Sequence, residues 1–241
     1  MEKPGGSHLH DGPIHLVLIG EREAGKSAAG NAILGTMAFD QVGVRTRTSV
    51  RGEGVVRGRH VVVVDTPGWD WFNLSGASAS PATIRKEMIS GMTLCHPGAH
   101  ALLLVVPLSF SFSARERHVL EEHVDLFGPK AWRYTMVLFT VIDTKRLRDS
   151  TLKDEVEMNS ELYKLVEKCG GWYHALHGRP KRGEDQVAEL LSKIQKMALT
   201  DGETMLLSDQ VLEWYRETEE QQEMREEQER RQRVQNLRRC Q

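Results

Sequence analysis

Gly20-Glu21-Arg22-Glu23-Ala24-Gly25-Lys26-Ser27 fills the pattern G-x-x-x-x-G-K-[ST] at every position. Before it, Ile14-His15-Leu16-Val17-Leu18-Ile19 is an almost unbroken apolar run, as in a parallel strand covered on both faces. After it, Ser27-Ala28-Ala29-Gly30-Asn31-Ala32-Ile33-Leu34 predicts a helix that ends near Gly35. Strand, loop and helix together are the context a phosphate-binding loop requires. Gly20 and Gly25 let backbone N–H groups curl around phosphates, and the helix starting at Lys26 aims its free N–H groups and positive dipole end at the anion. Lys26 is placed to reach the β- and γ-phosphates, and the Ser27 hydroxyl to ligate Mg²⁺.

A second motif follows downstream. Gly52 to Val56 and His60 to Val64 flank the turn Arg57-Gly58-Arg59 and predict an antiparallel hairpin, whose second strand carries Val61-Val62-Val63-Val64. That strand runs into Asp65-Thr66-Pro67-Gly68, a D-x-x-G turn in which Asp65 would hold Mg²⁺ through water and the Gly68 N–H would meet the γ-phosphate. Between the motifs, Thr46, Thr48 and Ser49 lie among Arg45, Arg47 and Arg51. The stretch from Trp69 to Pro81, rich in Ser, Ala and Gly, reads as a mobile switch loop with two exposed tryptophans.

The same alternation continues. A helix is expected over Ala82 to Met92, a buried strand over Ala101 to Val106, and a helix capped by Ser113 with Glu116 as capping-box partner, running through Phe127. Tyr134 to Phe139 is a strand, Leu152 to Lys168 a helix, Trp172 to Leu176 a strand and Gln186 to Leu199 a helix. The order predicts an α/β fold of the P-loop NTPase type, a mostly parallel sheet with helices on both faces. Residues 1–12 read as a disordered leader, 13–200 as the nucleotide-binding domain and 201–241 as a charged helical extension. In that extension Leu212, Tyr215, Met224, Val234 and Leu237 keep no heptad. A solvated or back-folded helix is favoured over a self-pairing coiled coil; docking would bury Leu212 and Tyr215.

Bulk properties bound the function. The 241 residues carry a net charge of -2 with a pI near 6.6, which argues against nucleic acid as the main partner. Cys95, Cys169 and Cys240 lack metal-ligand spacing, so the reducing cytosol is the simplest compartment. No apolar run is long enough for a transmembrane span, leaving peripheral membrane association open.

Guanine recognition needs a carboxylate after a further strand. In Thr140-Val141-Ile142-Asp143, Asp143 takes the carboxylate position, Thr140 stands for the usual asparagine and Val141 for the usual base-covering lysine. With this third motif the chain resembles the GIMAP family, the immunity-associated AIG-type GTPases related to septins and chloroplast import GTPases. The resemblance rests on Gly20 to Gly35, on Asp65 to Gly68, and on the block His96-Pro97-Gly98-Ala99-His100-Ala101-Leu102-Leu103-Leu104-Val105-Val106. Phe127-Gly128, Val137 to Thr140, and Cys169 to Leu176 extend it over roughly Ile14 to Met197.

The resemblance implies that GTP or GDP lies against Glu21, Glu23, Ala24, Gly25, Lys26, Ser27, Ala28, Gly68, Asp143 and His177. It places Ser27, Thr46 and Asp65 around Mg²⁺, Thr46 rather than Thr48 because of its distance from the D-x-x-G aspartate. His177 stands beside the fifth-motif strand, either near the base or as a surface-loop histidine. It also implies GTP-dependent homo- or hetero-oligomers of similar domains. Trp69 occupies the place of the water-orienting glutamine, so hydrolysis is expected to be slow or partner-dependent. The arginine that the family places after the His-Pro-Gly block is missing from Ser109-Phe110-Ser111-Phe112-Ser113, and the nearest are Arg115 and Arg117. The competing reading is an interaction module that no longer answers to nucleotide and acts through its carboxyl-terminal helix.

Overall fold

The computed structural model describes residues 12–40, 46–70, 80–108, 112–141, 150–178, 184–200 and 206–239. Strand β1 (Ile14–Ile19) is buried at all six positions and sits at the middle of the main sheet. On one side it pairs in parallel with β3 (Arg59–Asp65), and on the other with β5 (Ala101–Pro107). Outward lie β2 (Val50–Val56), antiparallel to β3, and the parallel strands β6 (Thr135–Val141) and β7 (Tyr173–His177). Among the described residues the order is β2-β3-β1-β5-β6-β7. The chain leaves β1 toward β3 on one side and leaves β5 toward β6 and β7 on the other, so the topological switch point lies at the carboxyl end of β1, where it adjoins β5.

Why these apolar runs become doubly buried strands is visible in the pleat, since successive side chains enter opposite cores. Leu16, Leu18, Val61, Val63, Leu103 and Val105 join one core, with Ile33 and Leu34 of α1 (Lys26–Leu34) and Leu190, Leu191 and Ile194 of α6 (Gln186–Leu199). Val17, Ile19, Val62, Val64, Leu102 and Leu104 join the other. There they meet Met88 and Ile89 of α2 (Ala82–Ser90), Val119 and Leu120 of α3 (Ala114–Asp125), and Leu162 and Leu165 of α5 (Ser160–Lys168). Fully burying one such side chain stabilises by about 1.5–3 kcal/mol, so two opposed cores fix the layer order.

The local signals hold where a side chain could supply them. Ser113 caps α3 in a capping box, its hydroxyl accepting from the Glu116 N–H while Glu116 accepts from the Ser113 N–H. The expected single helix from Leu152 to Lys168 is instead two, α4 (Leu152–Met158) and α5. Asn159 leaves helical geometry at φ −109° and ψ 106°, and its side-chain oxygen accepts from the N–H groups of Glu161 and Leu162. An asparagine that can start a new helix ends the old one.

Two short strands lie beyond the sequence reading. Gly98–Ala99 forms β4, which pairs antiparallel with β8 (Leu206–Leu207). That pairing delivers the chain into α7 (Ser208–Arg239), whose first turns pack on the domain. Val211 is 2% and Tyr215 8% exposed, and both belong to the second core. From Glu220 to Arg233 the helix is exposed throughout.

Candidate functional site

The phosphate loop leaves β1 at Gly20 and turns into α1 at Gly25, which has φ 93° and caps the helix without any side-chain bond. The first N–H groups of α1 are therefore left to a ligand. Lys26 is 6% exposed and folds back along the loop, its Nζ donating to the carbonyls of Gly20 at 3.1 Å and Glu21 at 2.7 Å. Burial lowers its pKa to about 8, against the pull of Asp65 and Glu21 toward the charged form.

Asp65 ends β3 beside α1, and the Ser27 hydroxyl donates to its Oδ2 at 2.6 Å. Burial raises the Asp65 pKa, while Ser27, Lys26 and Thr46 favour its ionised form. Thr46, the residue chosen over Thr48, thus faces the same carboxyl as Ser27. Oδ1 of Asp65 is buried and has no hydrogen-bond partner among the described residues. A buried carboxylate oxygen left open between two hydroxyls fits a hard, oxygen-seeking cation such as Mg²⁺.

Gly68 lies directly on the loop. A Cβ there would meet the Arg22 nitrogen and Lys26 Nζ at 2.6 Å each, so no larger residue lets the D-x-x-G turn approach this closely. The next residue tightens the seam: the Arg22 N–H donates to the Trp69 carbonyl at 2.7 Å, and Glu21 and Trp69 form an isolated parallel bridge. Glu23 of the loop takes φ 65°, a conformation uncommon for a non-glycine residue.

Trp69 contradicts the expectation of an exposed tryptophan. It is 1% exposed, stacked on His123 of α3 with ring centroids 3.8 Å apart and planes 13° from parallel. His123 is wholly buried; its Nδ1 bonds the Val119 carbonyl and its Nε2 the Ser80 hydroxyl, and burial lowers its pKa to about 4. Sequence reasoning missed this cluster because Trp69 opens a polar loop. A signal was present nonetheless, since His123 falls on the apolar stripe of Val119, Leu120 and Val124. The second tryptophan expected to be exposed, Trp71, lies outside the described residues, as does the rest of that loop through Ala79.

On the other side of the loop a cavity of about 640 Å³ opens between Glu23, Ala24, Gly25 and Ala28 and the strand ends at Thr140, Val141, Leu176 and His177. Thr140 braces it, its hydroxyl donating to the Ala24 carbonyl at 2.9 Å. The His177 backbone is fixed on both sides by the Gln186 side chain, at 2.9 and 3.0 Å. So the structure brings His177, Glu23, Ala24, Gly25 and Ala28 to one cavity, and Glu21, Lys26, Ser27, Thr46, Asp65 and Gly68 to the adjoining seam. Asp143 lies outside the described residues.

Arg117 is already engaged, donating to Glu161 at 2.8 Å and Glu121 at 2.5 Å. Among the described residues no helix is long and apolar enough to cross a membrane.

Comparison with known proteins agrees with this geometry. The chain is 32% identical over 197 residues to the human GTPase IMAP family member 8, covering 78% of this chain and 28% of that protein. It is 29% identical over 199 residues to Immune-associated nucleotide-binding protein 12 of Arabidopsis thaliana, covering 79% and 49%. The chain thus spans about a quarter to a half of the length of these curated relatives. Among solved structures, a dimerization-deficient mutant of Toc33 from Arabidopsis thaliana superposes with a TM-score of 0.64 at 15% identity, over 80% of this chain and 87% of that one. Era bound to MgGDPNP and a ribosomal RNA segment does so with a TM-score of 0.53, at 15% identity, over 76% of this chain and 56% of that one. Both likenesses show a P-loop GTPase G-domain fold. The profile of the AIG1 family matches residues 14–229, and the chain belongs to that family.

Proposed function

We propose that this protein binds GTP and GDP with Mg²⁺ and works as a nucleotide-dependent switch or scaffold that self-associates in the triphosphate state, with slow or partner-dependent hydrolysis. One observation carries the reading: Lys26, Ser27, Thr46, Asp65 and Gly68, from separate stretches of the chain, converge at the carboxyl ends of β1 and β3. In that arrangement Lys26 and the α1 N–H groups bind the phosphates. Ser27, Thr46 and Asp65 would hold Mg²⁺, which supplies charge neutralisation at the β- and γ-phosphate oxygens. The cavity edged by Ala28, Thr140, Val141 and His177 takes the base, and Asp143 follows β6 as the residue to read guanine.

The reading of hydrolysis rests on Trp69. Its indole is buried against His123, and an indole N–H cannot accept a proton from water, so the residue after Gly68 supplies no glutamine-like group. Support for self-association is the family itself and neighbours whose names refer to dimerization. Arg117, held by Glu121 and Glu161, is not poised to reach into a partner's site. We propose residues 13–200 as the G domain and 201–241 as an extension anchored by Val211 and Tyr215, acting in the cytoplasm or peripherally on a membrane.

Titration with labelled GTP, GDP and ATP in Mg²⁺ tests the core of this. Guanine nucleotides should bind and ATP should not; equal affinity for ATP sinks the guanine reading. Light scattering during size exclusion, in GDP and in a nonhydrolysable GTP analogue, tests self-association: an unchanged mass refutes it. A protein that stays folded but gains no thermal stability from any purine nucleotide would instead be the nucleotide-insensitive interaction module.

A further inference from the structure

We propose that Glu21 is a specificity residue whose carboxyl, carried by the phosphate loop at its seam with the D-x-x-G turn, sets the preference between nucleoside diphosphate and nucleoside triphosphate. The inference rests on the nucleotide-binding reading above and refines it for one residue of that site. It starts from where Glu21 stands. Its backbone is bridged to Trp69, the residue after Gly68, and its carbonyl holds the Lys26 ammonium at 2.7 Å. The neighbouring Arg22 N–H is closed onto the Trp69 carbonyl, and Gly68 packs against Arg22 and Lys26 with no room for a Cβ. This is the seam between the loop and the D-x-x-G turn, where a triphosphate differs from a diphosphate. The first N–H groups of α1, which carry no side-chain cap, would serve the phosphates common to both.

The side chain at this seam is an acid. The Glu21 carboxyl is half-buried, and the groups acting on it come from three elements. Lys26 of α1 favours its charged form, Glu116 of α3 opposes it, and the indole N–H of Trp69 favours it. That N–H is buried and, among the described residues, has no hydrogen-bond partner in ordinary geometry. Around the buried Lys26 ammonium, Glu21 and Asp65 already supply two carboxyls. A third phosphate adds further negative charge to a field that is already acid-rich, whereas a diphosphate leaves that place empty. An ionised Glu21 therefore disfavours triphosphate relative to diphosphate, and a protonated one does not.

Burial and Glu116 raise the pKa of Glu21 to about 7, so its charge changes near neutrality. The sign follows directly. Above pH 7 the carboxylate is charged and the preference moves toward diphosphate; below it the carboxyl is neutral and triphosphate gains. Lys26 also titrates near pH 8, but both the natural chain and Glu21→Gln keep it, so its contribution largely cancels in the comparison between them.

The test is the ratio of GTP to GDP affinity, each in Mg²⁺, at pH 6, 7 and 8, for the natural chain and Glu21→Gln. At pH 8 the variant should favour GTP by about tenfold more than the natural chain, the size of one partly screened charge pair. At pH 6 the two should agree within about twofold, since the natural residue is then neutral. Glu116→Gln is the companion variant: it removes the charge that adds to burial in raising the Glu21 pKa, so the pH at which the ratio changes should move down. Equal ratios for the natural chain and Glu21→Gln at every pH overturn the proposal while leaving nucleotide binding intact. Absence of any nucleotide binding by the natural chain overturns the underlying reading as well. If Glu21→Gln fails to fold, an unmoved pH midpoint in Glu116→Gln has the same overturning force.

Discussion

Truncating Trp69 to alanine should destabilise the domain more than any change expected at a loop residue. The indole is 1% exposed and stacks at 3.8 Å on a ring that is itself wholly buried, so its removal opens a cavity between α3 and the carboxyl end of β3. A tryptophan buries roughly 150–250 Å², which at about 25 cal/mol/Å² corresponds to about 4–6 kcal/mol as an upper bound. Core Trp→Ala substitutions cost about 3–5 kcal/mol, and that is the range expected here. For a domain of this size each kcal/mol lowers the melting temperature by about 2–4 °C, giving a fall of about 6–20 °C. Calorimetry or denaturant unfolding of the ligand-free protein measures it. A second readout separates burial from a general loss of order: His123, held at about 4 by burial, should titrate nearer its ordinary value once Trp69 no longer covers it. A loss under about 1 kcal/mol, with the His123 titration unmoved, would refute the packing argument and restore the picture of an exposed switch tryptophan.

Further outcomes follow from the same geometry. Lys26→Ala should abolish stabilisation by GTP and GDP while the protein remains folded; nucleotide-dependent melting shifts decide it. In the natural chain, nucleotide affinity should hold below pH 8 and fall by up to about tenfold per pH unit above it. Binding needs the protonated ammonium, and the empty site lets it go near pH 8. Thr140→Val should leave the Ala24 carbonyl without its donor and cost about 1–3 kcal/mol in denaturant unfolding. His123 and His174, both lowered to about 4 by burial, are neutral in the fold and charged when unfolded between pH 6.5 and 4. Their contribution is complete above pH 6.5 and is lost as pH falls through 4, at up to about 1.4 kcal/mol per unit for each; His123→Gln should flatten part of that slope in acid titration. Alanine at an exposed position of α7 such as Arg230 should change stability by under about 0.5 kcal/mol, whereas Val211→Asp, which buries a charge, should cost well over 2 kcal/mol in thermal unfolding.

The sheet, its two faces and the glycine-lined loop were legible in the order of residues, because each depends on short-range rules. Alternating strands and helices dictate a parallel sheet, valine and leucine runs announce strands covered twice, and Gly20, Gly25, Lys26 and Asp65 carry their chemistry at fixed spacing. The capping box at Ser113 was legible for the same reason, whereas Asn159 looked like a helical residue until its side chain was seen capping α5. Only the tertiary structure decided where distant residues meet. Nothing local to Trp69 says that His123, far along the chain, receives its ring, and nothing near Leu206 says that Gly98 and Ala99 pair with it and seat α7. The charge on Glu21 belongs to this second class, since it is set by burial, by Glu116 and Lys26 from two different helices and by an indole from a third segment. Electrostatic fields and stacking surfaces are sums over neighbours in space, and a chain read in order lists neighbours only along itself.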